Sequence, residues 1–216
     1  MPETRGMPSL RERNKLRTRE AISDIATRLF LAHGFDKVTI AEVAAAAGVA
    51  KMTVTNHFPR KEDLVLDIHE QLVALPSRVV TTRGPGESAL DALRRHFFEA
   101  LERHDPALGF SGPEFVAMLT GSPALLARLR EIDEEREEML AMTLANETWA
   151  LQGDLTAYLA AGHLLTVYRV LFTDILRRVL AGEENESIRA HVTEPARRGF
   201  DLLQPVLGDY AVRQAN

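Results

Sequence analysis

The chain has 216 residues, 45% of them hydrophobic, with no cysteine and a net charge of −5. That hydrophobic share excludes a disordered chain, and the missing thiols exclude disulfides, cysteine nucleophiles and thiolate metal sites. The charge is uneven, +4 over Met1–Glu62 and −9 over the remainder, so a polyanionic partner is expected at the N-terminal part alone, although a solvated arm carries the same pattern.

In chain order, Met1–Pro8 reads as a tail with no apolar signal-peptide run. Ser9 and Glu12 have capping-box spacing, and Ile22, Ile25, Ala26, Leu29 and Phe30 follow at helical intervals, closed by Gly34. Thr39 and Glu42 repeat the capping pair ahead of Ile40, Val43, Ala44 and Ala47. Gly48-Val49-Ala50 separates this short helix from a third over Lys51–His57, which Phe58-Pro59 ends. So short a glycine-containing interval fits two helices meeting steeply, as in a helix-turn-helix. A fourth helix is expected over Lys61–Leu75, stopped by Pro76, and Arg83-Gly84-Pro85-Gly86 reads as a hinge loop. Further helices are expected near Ser88–Arg103, Pro113–Leu119, Pro123–Asn146, Gly153–Leu180 and Glu186–Leu203, with Pro195 kinking or splitting the last. No period-2 strand is visible, so the expected class is all-α. Its parts are a DNA-binding head over 1–62 with a basic tail over 1–17, a connecting helix and hinge over 63–86, and a body over 87–216.

A helix-turn-helix needs an apolar face to fix the crossing angle and an exposed face to read base edges. Ile40, Val43, Ala44, Val49, Val54 and Phe58 supply the first. Lys51, Met52, Thr53, Thr55, Asn56 and His57 remain for the second. Lysine suits phosphate or guanine acceptors, asparagine pairs with adenine, and threonine offers phosphate a hydroxyl or thymine a methyl. Lys61, expected at a helix start, joins its charge to unpaired amides as a phosphate clamp. An ordinary helical domain with one polar exposed helix has the same spacing.

The run Thr18-Arg19-Glu20-Ala21-Ile22, Leu29-Phe30, His33-Gly34-Phe35, Val38-Thr39-Ile40, Val43-Ala44 and Ala47-Gly48-Val49-Ala50-Lys51-Met52-Thr53-Val54-Thr55-Asn56-His57-Phe58-Pro59-Arg60-Lys61-Glu62-Asp63-Leu64 resembles the DNA-binding head of TetR-type transcriptional regulators. The resemblance spans about a third of the chain. It implies nine or ten helices, a homodimer built through the last two long ones, a small-molecule effector in each body, and a palindromic double-stranded DNA operator, usually repressed. It also implies that Thr39 caps the bracing helix beside the backbone, that Lys51, Thr53, Asn56 and His57 lie on the recognition helix, and that Lys61 meets a phosphate. Three positions depart from the family pattern. Ala50 replaces a common serine and cannot cap, Thr55 stands where an aromatic is common, and Arg60 replaces a small cap residue.

The body carries no comparable signature. Phe97, Phe115, Met118, Met142, Trp149, His163 and Tyr168 are the candidate lining of an effector pocket, aromatic and thioether groups suiting an adaptable apolar site, though a place in the core is the stronger reading for each. Glu131–Glu138, interleaved with arginines, reads as a solvated face. His69-Glu70 lacks the second histidine of a zinc-protease helix, and no phosphate loop, nucleophile elbow or metal cluster is visible, so neither enzyme activity nor a cofactor or metal is expected. Leu155–Leu180 is interrupted by His163, Arg169, Asp174 and Arg177, so no membrane partner is expected, and the expected location is cytoplasmic. A transcriptional activator, or a helical adaptor that binds protein and not DNA, remains open beside the repressor.

Overall fold

The computed structural model describes residues 9–214, apart from the side chain of Glu12. The expected Met1–Pro8 tail, and the Glu12 half of the first capping pair, therefore lie outside the described residues. Nine α-helices and no strand occur among the described residues: α1 Leu10–His33, α2 Ile40–Ala46, α3 Lys51–His57, α4 His69–Thr81, α5 Ala89–Glu102, α6 Pro113–Gly121, α7 Pro123–Glu147, α8 Thr156–Leu180 and α9 Asn185–Leu207. Two compact units divide between Asp67 and Ile68.

The first unit is built on α1, whose apolar stripe buries Ile22, Ala26 and Phe30 against Phe35, Val43, Val54, Phe58 and Leu64. Gly48, at φ 66, takes the left-handed turn that lets α3 leave α2 steeply. The helix expected from Lys61 does not form there. A 3₁₀ turn at Glu62–Leu64 replaces it, and α4 begins only at His69. The reason lies in the carbonyls. Ser23 Oγ donates to Leu64 O at 3.1 Å and Arg19 Nη2 donates to Asp67 O at 2.9 Å, so α1 side chains take acceptors that a continuous helix needs.

In the second unit Pro76 does not stop α4, which continues through it to Thr81. A proline here removes one backbone hydrogen bond. Pro76, Val73 and Val80 are buried, and α4 packs mainly on α7, which holds the helix past the break. Pro195 likewise leaves α9 undivided, and a second proline, Pro205, also lies within it. Arg83-Gly84-Pro85-Gly86 lies inside this unit and is firmly tied. The side chain of Arg83, itself buried, donates to Glu87 O at 3.1 Å and Ala211 O at 2.7 Å and pairs with Glu147 at 2.5 Å. Arg213 closes the same loop through Gly86 N to Arg213 O at 2.8 Å and Arg213 N to Glu87 O at 3.1 Å. Helix α8 is long and apolar enough to cross a membrane, yet Leu164, Leu165, Tyr168, Ile175 and Val179 bury one side of it against α7 and α9, as in a core helix.

Candidate nucleic-acid interface

Helix α3 occupies Lys51–His57, as the sequence predicts, and its two faces are sharply different. Val54 inside it and Phe58 just after it are 0% exposed. Opposite them, Lys51 and Asn56 are exposed and Met52 is 69% exposed, while Thr53, Thr55 and His57 are half-buried. An exposed methionine beside a cation and an amide has no packing role in this unit, and all three groups suit base edges and phosphates. Thr55 is less available than its sequence position suggests. Its hydroxyl donates to Met52 O at 3.1 Å, the back-bonding typical of helical threonine, which leaves mainly its methyl to a partner.

The bracing helix α2 starts on a full capping box. Thr39 Oγ1 accepts from Glu42 N at 3.2 Å, and Glu42 Oε2 accepts from Thr39 N at 2.7 Å. Those hydrogen bonds from Thr39, backbone first, hold the Glu42 carboxyl below its ordinary range. By contrast Ala50 leaves the start of α3 without a side-chain cap.

Two cations from elsewhere in the unit fasten this arrangement. Arg19 of α1 donates to His57 O at 2.5 Å and stacks at 4.5 Å over the Phe58 ring, which pins the C-terminal end of α3. Sequence reasoning missed this role because the partners are 38 residues apart and nothing local marks the pairing. Lys61 differs from its expectation. It precedes a 3₁₀ turn and not a long helix, and its Nζ donates to Phe35 O at 2.6 Å, 4.4 Å from the Phe35 ring centroid. One of its three N–H groups is thus taken by the fold. Burial, then the charges of Lys15 and Arg19, lower the His57 imidazole from its ordinary 6.5.

The seven candidate effector residues are not brought together. Phe97 and Tyr168 fill the core, with ring centroids 5.2 Å apart, and the Tyr168 hydroxyl donates to Leu93 O at 2.6 Å. Burial pushes that hydroxyl's pKa upward. Phe115 and Met118 are half-buried on α6, Met142 is exposed on α7, and Trp149 is 90% exposed after it. His163 alone among the seven lines a groove of about 700 Å³ along α8 and α9, beside Tyr158, Leu159, Val170 and Leu202. The solvated face expected over Glu131–Glu138 begins differently, since nearby Arg128 is buried and pairs with Glu131 at 3.1 Å and Glu135 at 2.9 Å.

A capped brace, a glycine turn and a pinned helix with a polar outer face define a helix-turn-helix DNA-binding protein of the all-α class. Residues 22–68 match the family model of bacterial regulatory proteins, tetR family. The chain is 33% identical over 152 residues to the HTH-type transcriptional regulator TcmR of Streptomyces glaucescens, covering 67% of each protein. It is 27% identical over 153 residues to the HTH-type transcriptional repressor LfrR of Mycolicibacterium smegmatis, covering 67% of this chain and 80% of LfrR. Its fold is similar to the crystal structure of NalD, the secondary repressor of the MexAB-OprM multidrug efflux pump in Pseudomonas aeruginosa. That likeness has a TM-score of 0.52 at 20% identity and covers 87% of this chain and 97% of NalD. The chain belongs to the TetR family of transcriptional regulators.

Proposed function

We propose that this regulator is a cytoplasmic homodimeric repressor that leaves a palindromic operator when a small apolar effector enters the body. The outer face of α3 carries the reading: Lys51, Met52 and Asn56 are exposed over a side sealed by Val54 and Phe58. In the major groove Asn56 reads adenine, Met52 and the Thr55 methyl meet thymine methyls, and Lys51 and Thr53 take phosphate or guanine acceptors. Thr39 lies at the backbone end of the brace. His57 and Lys61 add donors at the margin, Lys61 with the N–H groups that Phe35 leaves free.

Dimerisation through α8 and α9 is supported by the apolar groups left in water there: Leu155 just before the first, Tyr158, Leu159 and Val170 on it, and Leu202 and Val206 on the second. The groove of about 700 Å³ runs along this face, so it serves a second protomer better than an effector. The effector site is proposed among the inner residues Phe97, Phe115, Met118 and Tyr168, without the exposed Met142 and Trp149 and without His163, which lies on the α8–α9 groove. Entry there requires the aromatic core to repack, which couples occupancy to the shape of the body, within the effector's differential affinity for the two shapes.

Mobility shifts against genomic fragments selected by the protein test the interface. Asn56→Ala is expected to change which fragments bind, and Lys51→Ala to weaken them all. Unchanged binding in both variants contradicts the assignment of α3. Reporter expression in a deletion strain decides between repression and activation.

A further inference from the structure

Helix α1 carries cations that no contact among the described residues explains. Arg11, Arg13, Lys15 and Arg17 are all exposed, whereas Arg19, one turn on, is fixed to His57 O and Asp67 O. Their placement is not uniform around the helix. Arg17 borders a groove of about 500 Å³ between α1 and the turn before α3, beside Asn14 and Thr18, with Ala21, Ile22, Ala47 and Val49 as its floor. Val49 is two residues from Lys51, so Arg17 stands level with the start of the recognition helix. Lys15 lies one turn before Arg19 on the same face of α1, and Arg19 bonds His57 O, so Lys15 stands toward the other end of α3. The first half of α1 thus holds exposed positive charge beside both ends of α3, with an amide between them at Asn14.

We infer that Asn14, Lys15 and Arg17 form a second backbone-contacting edge, which grips duplex DNA by its phosphates on either side of the recognition helix. The reading rests on α3 being the DNA-reading element. It extends the interface to a helix whose apolar face only supports the fold. The chemistry selects one occupant. Cations at this spacing, over a floor of small apolar groups, suit a sugar-phosphate strand, with Arg17 and Lys15 on phosphate oxygens, Asn14 donating between them and deoxyribose against Ala47 and Val49. None of these groups reaches a base, so the edge adds affinity without sequence preference.

The experiment needs no knowledge of the operator. Binding of the full chain to a mixed-sequence duplex of fixed length is measured over a salt series. Removing one phosphate-bound cation flattens the plot of log affinity against log salt by about 0.9. Lys15→Ala and Arg17→Ala are each expected to flatten it by about twice that in a dimer, and to weaken selected and unselected DNA by the same factor. Arg130→Ala, which removes one exposed charge from α7, is expected to leave the slope unchanged. Arg17→Lys keeps the charge and retains most of the slope. If neither alanine variant alters the slope while Lys51→Ala does, the α1 edge is wrong and the α3 interface stands. If Lys51→Ala is silent as well, the interface assignment itself falls. An equal flattening in Arg17→Lys and Arg17→Ala also overturns the proposal, since a phosphate contact follows charge.

Discussion

Arg19 joins three parts of the first unit through a single side chain. Its guanidinium donates to His57 O and Asp67 O and stacks on Phe58, satisfying two carbonyls outside any helix ladder. Lysine does not reproduce this, because one ammonium lacks the planar fork. Arg19→Lys is therefore expected to cost about 1–3 kcal/mol, read by denaturant unfolding of the full chain. Lys61→Ala removes a charged hydrogen bond to Phe35 O and a ring contact, and is expected to cost about 1.5–3 kcal/mol. A loss of DNA affinity with unchanged stability would instead favour a purely phosphate-facing Lys61. His57 adds a pH dependence. Burial, Lys15 and Arg19 depress its folded value, so the unfolded chain takes the proton first as pH falls through about 6.5. Stability is full above that value and declines below it until the folded imidazole also protonates. The decline between about pH 7.5 and about pH 5.5 is expected to be smaller in His57→Gln than in the native chain. At this scale the sequence was only partly legible. Thr39, Glu42 and the exposed face of α3 follow from local rules, whereas Arg19 and Lys61 act on carbonyls distant in sequence.

Helices of seven residues such as α2 and α3 are too short to persist alone, so caps and packing decide them. The capping box of α2 is complete, and Thr39→Ala is expected to cost about 1 kcal/mol. Helix α3 offers the reverse test. Ala50 has extended backbone angles and sits as N-cap with no side-chain bond, so Ala50→Ser supplies the missing acceptor without moving the chain. The expected gain is about 0.5–2 kcal/mol, measured as a raised Cm with unchanged m. A neutral or destabilising result means that the amides at the start of α3 are already well served by water. Helix boundaries also differ in how far the sequence reveals them. Capping pairs and Gly48 have local physical causes, and the predicted limits of α3 match the structure. Pro76, Pro195 and Pro205 signal breaks by an equally local rule, yet burial of Pro76 against the α7 side of the body outweighs one missing hydrogen bond. The late start of α4 was hidden for the opposite reason, since Leu64 and Asp67 look helical until Ser23 and Arg19 take their carbonyls.

At the scale of the whole molecule, a band of apolar surface is left uncovered among the described residues. Leu159 and Val170 on α8, with Leu202 and Val206 on α9, each expose more than half of their area. A folded chain rarely leaves such a band in water, and burying each side chain in a twofold interface is favourable by about 1.5–3 kcal/mol before association costs. Both sides of α8 read as apolar in the sequence, and only the structure separates the buried side from the exposed one. A charge at Leu159 or Val170 leaves the buried side of α8 intact and places an unpaired carboxylate in the proposed interface. Leu159→Glu and Val170→Glu are therefore expected to shift the protein toward monomer in sedimentation, with helix content unchanged by circular dichroism. Binding to selected fragments is expected to fall with the dimer, since one head grips only one half-site, while the weak affinity for mixed-sequence DNA persists. Retained dimers in both variants would move the interface to another face. A monomer that still binds selected fragments at full affinity would remove the twofold operator from the proposal.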